Sequence, residues 1–325
     1  MNTELMVGLG NESLVLPAGQ MAPGMYSLAN EERFTSSFYS EPLTQYATGW
    51  SDSEKLTALT DFVAPRVPVA RRFEYKQAVN AEAFLSEQDD IRGIQGEFKR
   101  VEYKSVSANG KTDNRGLCYR IDLDEEGAGI LTEELIVARI LQRLKRNQYR
   151  RAIAALTAVA NNTAVTWSTG TPSPDEDMRA AVQRAQLSSG VFPNRGLIDL
   201  QAWNNRKKGM NPQFTAGTLA GYLWSAAEVA GDQGLDTLMM TKAVYQSSAT
   251  AKSYIIGNKF IVFPGQDSPS REDPTAVKRF VTPTGDGDFR VYRQPMGPKF
   301  IDITVEYYDS IVATATVGTE MLTVS

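Results

Sequence analysis

The 325-residue sequence contains no histidine and a single cysteine, Cys118. The first absence removes the commonest general base, proton shuttle and metal ligand together. The second excludes an intrachain disulfide and any zinc site built on cysteine. No run of about 18 apolar residues occurs, so no segment is suited to span a membrane as a helix. The opening MNTELMVGLGNESLV lacks the basic flank and long apolar core of a secretory signal. The expectation is therefore a soluble chain made inside the cell. Phosphate-binding and dinucleotide-binding glycine motifs are missing as well. A net charge of −4 and an isoelectric point near 5.2 exclude a global basic field for nucleic acid, although local patches remain open.

What is present centres on one stretch, Leu131–Asn162, which has neither Pro nor Gly and is rich in helix formers. Val137, Leu141, Leu144, Gln148, Ala152, Ala155 and Val159 recur at steps of three and four and share one face. Arg139, Arg143, Arg146 and Arg150 follow the same rhythm on the opposite face. Such a helix is about 45–50 Å long, a strut far longer than ordinary packing requires. Thr132 is placed to cap it, Glu133 and Glu134 suit its dipole, and Asn161 and Asn162 suit its end.

The remainder divides by composition. Residues 1–65 read as an extended acidic arm. Arg33 and Lys55 are its only cations, set against eight carboxylates, with many aromatic anchors. A short helix is expected at Asp52–Phe62, capped by Ser51 or Ser53. Phe73–Val79, Phe98–Ala108 and Cys118–Asp124 alternate like strands, with turns expected at Asn109-Gly110 and Asn114-Arg115-Gly116. This two-stranded excursion has little apolar face of its own and is expected to need a neighbour. Further on, Asp175 is read as the cap of a helix over Glu176–Leu187. A buried strand lies around Leu197–Leu200, a helix bears Trp203, and another helix covers Gly217–Val229. Phe289–Val324 reads as strand, turning at Gly297 and Gly318. Helices and strands are mixed without βαβ order, which indicates an α+β fold.

No pair of residues stands out as nucleophile and base. Cys118 reads as a small buried hydrophobe and the paired glutamates as helix-start acids. The arginine stripe leaves two readings. Either it faces nucleic-acid phosphates, or it pairs with carboxylates, those of Asp122, Asp124, Glu125 and Glu126 or of another copy's acidic arm.

The order of parts resembles the major capsid proteins of tailed bacteriophages, the Hong Kong 97 fold. Three segments carry the resemblance. FEYKQAVNAEAF through YKSVSANGKTDNRGLCYRIDLDEE looks like the extended loop returning to a spine helix. SSGVFPNRGLIDLQAWNNRKKG looks like a recurring axial-domain segment. TLMMTKAVYQSSAT, KSYIIGNKFIVFP and YRQPMGPKFIDITVEYYDSIVATATVGTEML resemble the return to the peripheral domain. The resemblance implies an arm at 1–65, an extended loop at 66–120, and a peripheral domain with the spine helix at 121–174. An axial domain at 175–274 and peripheral C-terminal strands at 275–325 complete it. It also implies a structural, non-enzymatic role without cofactors, in the virion capsid after assembly in the host cytoplasm. The implied partners are other copies of the chain, as hexamers and pentamers, and packaged double-stranded DNA held by non-specific contact. Scaffold, portal and decoration proteins would join them, with no membrane. An encapsulin-like nanocompartment shell is the alternative within the fold, and a soluble α+β enzyme the alternative outside it.

Overall fold

The structure, a computed structural model, describes residues 38–77, 96, 106–124, 132–170, 172–210, 222–271, 273–284, 287–315 and 317–325, together with the backbone of 5–9 and 12–16. Nearest the N-terminus, β1 (Leu5–Leu9) and β2 (Glu12–Leu16) form a hairpin whose strands, among the described residues, pair only with each other. Two helices follow, α1 (Glu41–Gly49) and α2 (Leu56–Val63), then the short strand β3 (Arg66–Pro68). A second ribbon joins β4 (Arg72–Gln77) to β5 (Val106–Lys111), and β6 (Asp113–Asp122) leads back to the body.

The long helix, α3, runs from Glu133 to Val159, and Thr132 Oγ1 accepts from the Leu135 N–H at 3.3 Å as its cap. Its end differs from expectation. Asn161 and Asn162 do not cap it but open strand β7 (Asn161–Val165), and Asn161 donates to Glu320. Beyond lie α4 (Pro174–Ser189), β8 (Arg195–Asp199), α5 (Leu200–Met210), α6 (Ala226–Gln233) and β9 (Thr237–Thr241). The ribbon of β10 (Val244–Gln246) and β11 (Lys252–Tyr254) and then β12 (Lys259–Phe263) complete this part. The chain closes through β13 (Val277–Val281), β14 (Arg290–Pro295), β15 (Phe300–Ala313) and β16 (Glu320–Val324).

Two five-stranded sheets result. In the first, β15 is the axis: it pairs antiparallel with β14, β13 and, over ten positions, β6, while β3 lies parallel to β13. Period-two alternation turns Ile301, Ile303, Val305 and Tyr307 inward. They meet Ile136, Val137, Ile140, Leu141 and Leu144 of α3, with Leu43 and Ala47 of α1. In the second sheet, ordered β7-β16-β12-β8-β9, both faces are covered. Ile198, Phe260, Val262 and Leu322 pack under the helices α4–α6 with Trp167 and Trp203. Leu197, Ile261, Phe263 and Met321 face Tyr149, Ala152, Ile153 and Leu156 of α3. Burial on both faces fits the apolar run Phe260–Phe263 of β12 and the buried positions throughout β8. It also accounts for the length of α3, whose two halves serve two cores. Each fully buried aliphatic side chain contributes roughly 1.5–3 kcal/mol, so shortening the helix would expose one core or the other.

Several expectations are corrected here. Residues 41–63 are not arm but helices docked on their own body, and Leu56, Phe62 and Val63 are core residues. The helix expected at Asp52–Phe62 begins at Leu56, and its capping carboxylate is Asp52, which accepts from Glu54 N and Thr57 N at 2.9 Å each. Asn109 and Gly110 do not turn. They lie in β5 opposite Glu74 and Phe73, and a Cβ on Gly110 would sit 2.4 Å from the Phe73 ring. Asn114-Arg115-Gly116 likewise lies in β6, where Gly116 allows the Val305 carbonyl to approach within 2.6 Å of where a Cβ would stand. Cys118 is exposed, because β6 turns Leu117 and Ile121 toward the core and Cys118 away. Asp175 caps nothing; its carboxylate holds the buried Arg206 at 2.6 and 2.9 Å. The helix expected over Gly217–Val229 lies partly outside the described residues, and its described part is α6, which starts with a Ser225–Glu228 capping box. The last strand also departs from the 275–325 grouping, because β16 enters the sheet of β8 and β12.

Candidate functional site

The composition of α3 after its first turn defines the site. From Leu135 to Val159 there is no carboxylate, while Arg139, Arg143, Lys145, Arg146, Arg150 and Arg151 supply cations. The fold deals with these cations one by one. Arg146 Nη2 grips Glu54 at 2.6 and 2.7 Å, and Gln142 donates to the same carboxylate at 2.7 Å. Arg150 lies over the Tyr245 ring at 4.2 Å, a cation–π contact. Arg151 points inward and donates to Asp309 at 3.0 Å and to the Tyr307 hydroxyl at 2.8 Å. Arg139 and Arg143 remain exposed, one turn apart, and no carboxylate of the described residues lies within ion-pair distance of either. The four arginines of the stripe are therefore not equivalent. Arg146 and Arg150 are engaged within the chain, while Arg139 and Arg143 are exposed and have no carboxylate partner among the described residues.

Of the acids weighed as partners, Asp124 meets Lys299 at 3.4 Å and Asp122 accepts from the Asp124 N–H. Glu125 and Glu126 lie outside the described residues. Glu54, which does hold an arginine, belongs to the same chain.

Two inward-facing charges escaped the sequence reading. Lys145 is buried beside Leu144, with its ammonium 4.8 Å from the Phe289 ring and no carboxylate in salt-bridge reach among the described residues. Burial, assisted by repulsion from Arg279, lowers its pKa from 10.5 to about 8. Asp309, fully buried on β15, accepts from Arg151 and from Gln148 Nε2 at 3.2 Å, and forms an ion pair with Arg115, whose Nε lies 3.0 Å away. That carboxylate ties α3, β6 and β15 at one point. Burial, reinforced by the Asp309 charge, holds the Tyr307 phenol above its ordinary pKa. A spacing signal for Lys145 existed, since it falls four residues after Leu141 on the apolar stripe. Asp309 sits in a strand of alternating apolar residues without any such mark.

Among the described residues, no group of three His, Cys, Asp or Glu side chains is placed to hold a metal ion, and no helix is long and apolar enough to cross a membrane. The architecture carries a cationic ridge, and its parts are those of the Hong Kong 97-type capsid fold. No protein-family model matches the chain, and no curated protein matches it either. Solved structures do. A phage-related protein from Bordetella bronchiseptica RB50 superposes with a TM-score of 0.63 at 15% identity, covering 89% of this chain and 98% of that one. The capsid of cyanophage P-SCSP1u gives a TM-score of 0.53 at 10% identity, covering 91% and 94%. The holo-encapsulin complex from Synechococcus elongatus PCC 7942 gives 0.53 at 12% identity, again covering 91% and 94%. At these identities the likeness defines the fold, and this chain has the α+β capsid fold that phage heads and encapsulins share.

Proposed function

We propose that this chain is the major capsid protein of a tailed bacteriophage, assembling through pentamers and hexamers into an icosahedral head that encloses double-stranded DNA. The observation that carries the proposal is the match of nearly the whole chain to nearly the whole of a phage capsid subunit. The reading is structural rather than enzymatic, and it places the protein in the virion capsid after assembly in the host cytoplasm. Scaffold, portal and decoration proteins are the further partners that such a head requires.

The exposed pair Arg139 and Arg143 supports DNA as the content. Guanidinium groups with no carboxylate partner among the described residues, one helical turn apart, suit phosphates of any sequence. Arg146 and Arg150 take a structural part in this reading, the first through Glu54 and the second through Tyr245. The encapsulin-like shell is the second reading, favoured by an encapsulin match as good as the cyanophage one. Electron microscopy of the purified chain, with extraction of the particle contents, tests both. Particles holding nuclease-protected DNA fit the phage head, and particles holding a protein cargo and no nucleic acid fit the nanocompartment. A monomer that never assembles overturns both and returns the chain to the soluble α+β class. Arg139→Gln with Arg143→Gln is expected to form shells with weaker, less salt-sensitive DNA retention.

A further inference from the structure

Lys145 stands at a junction of charges that leaves two buried cations short of acceptors. Around it, Asp61 of α2 is held by Arg279 of β13 at 2.7 Å, and Asp288, just ahead of β14, by Arg66 of β3 at 2.6 Å. Asp52 accepts from the backbone N–H groups of Glu54 and Thr57. Among the described residues these are the carboxylates whose charge reaches Lys145, and each is already engaged. The Lys145 nitrogen is left with the face of the Phe289 ring, at 4.8 Å. Arg279 is also incompletely satisfied: its Nη2 holds Asp61, while its buried Nε has no hydrogen-bond partner among the described residues. Exposure decides which neighbour Lys145 feels. Asp61 and Asp288 keep 46% and 25% of their side chains in water and are screened there, whereas Arg279 keeps 4%. The unscreened charge beside Lys145 is therefore positive, so this corner of the core disfavours an ammonium and suits an anion.

We propose that Lys145 is a carbamate site, at which dissolved carbon dioxide adds to the side-chain amine and the product pairs with Arg279. The free amine is the reactive form. Burial, assisted by repulsion from Arg279, brings the Lys145 pKa from 10.5 to about 8, so part of the population is unprotonated near neutrality. The nitrogen lone pair forms the N–C bond, one C=O π pair moves onto oxygen, and the proton displaced from nitrogen goes to solvent. No oxidant, reductant or further reactant is needed. Carbon dioxide is small and uncharged, so it reaches a side chain that is 8% exposed without bringing a charge out of water. The product replaces an unpaired cation by an anion, and the buried Arg279 Nε gains the acceptor it lacks. The adduct ties α3 to β13 within one subunit, whatever the assembled chains enclose.

Trapping tests it. The full chain is equilibrated with isotope-labelled bicarbonate and treated with triethyloxonium ion, which ethylates carbamate oxygens and releases diethyl ether. Digestion and mass spectrometry then locate the labelled ethoxycarbonyl groups. Lys145 is expected to carry about tenfold more label than the exposed Lys55 and Lys242 at neutral pH, because each step down in its pKa raises its free amine about tenfold. Raising the pH from about 7 to about 8.5 at constant dissolved carbon dioxide should increase the Lys145 yield about tenfold or more. Arg279→Lys keeps a cation beside Asp61 but loses the guanidinium fork, and should lower the yield about three- to tenfold. A second readout does not depend on that variant folding: bicarbonate should raise the urea midpoint of the wild-type chain near about pH 8 and leave Lys145→Met unmoved. No label on Lys145, label no greater than on Lys55 and Lys242, unchanged label in folded Arg279→Lys, or an equal midpoint shift in Lys145→Met overturns the proposal.

Discussion

Replacing Lys145 by methionine should stabilise the subunit, and the gain should vanish as the pH rises. In the folded chain the Lys145 ammonium lies against an aromatic ring with no carboxylate in salt-bridge reach among the described residues, and burial, outweighing the more distant Asp61, Asp288 and Asp52, lowers its pKa from 10.5 to about 8. The fall corresponds to about 3 kcal/mol of penalty on the charged form, because each pKa step is about 1.4 kcal/mol. At 8% exposure the group has little solvent to screen that penalty. The sign follows from proton counting. Between pH 8 and 10.5 the unfolded chain holds the proton and the folded chain does not, so wild-type stability rises with pH across that window. Below pH 8 the full penalty applies. Methionine keeps the length and the apolar stem without the charge, so at pH 7 it should gain up to about 3 kcal/mol, less what the cation–π contact contributes. Urea unfolding of the unassembled subunit at pH 7 and pH 10 measures the gap between the two proteins. A destabilised variant at pH 7, or a gap that stays constant with pH, refutes the reasoning.

Three further outcomes are expected. Asp309→Ala strips the shared carboxylate from Arg115 and Arg151 and should cost about 3 kcal/mol in denaturant unfolding, the low end for a broken buried pair, because those arginines keep 35% and 29% of their side-chain surface exposed. Asp309→Asn should recover part of that loss. Gly110→Val drives a side chain into the Phe73 ring and should cost about 1–3 kcal/mol, with faster hydrogen exchange at the β4–β5 amides than elsewhere. Removing residues 1–36 should leave thermal unfolding of the subunit nearly unchanged. Removing 1–50 also takes Leu43 and Ala47 from the first core and should lower its stability by about 2–4 kcal/mol.

How far the sequence could be read depended on how local each cause was. The helix at Leu131–Asn162 was legible because propensity, capping and periodicity agree within one stretch. Its purpose was not, since its partners come from residues as distant as Leu43, Phe263 and Met321. Asn109-Gly110 has the composition of a turn, but the residue that decides its conformation is Phe73 on the facing strand. Cys118 follows the alternation correctly and still faces outward, because alternation alone does not tell which face of β6 is covered. The acidic composition of residues 1–65 suggested an arm, yet the same stretch contains Leu56, Phe62 and Val63, which the second core claims. For the arginines, spacing put four residues on one ridge. Only the fold distinguishes the two that Glu54 and Tyr245 engage from the two that meet no carboxylate among the described residues.

The seating of β16 between β7 and β12 bears on how the chain is made. Strand β7 follows directly on α3, but among the described residues its one neighbour in the sheet is β16, to which it lies parallel. While residues 166–319 emerge from the ribosome, roughly 8–30 s at ordinary elongation rates, β7 has an unpaired edge and β12 is paired on one side only. The final turn of the backbone then closes the gap, with Ser325 O accepting from Trp167 N and Ser168 N and Ser325 N donating to Val165 O. The second sheet is therefore complete only once β16 has joined β7 and β12.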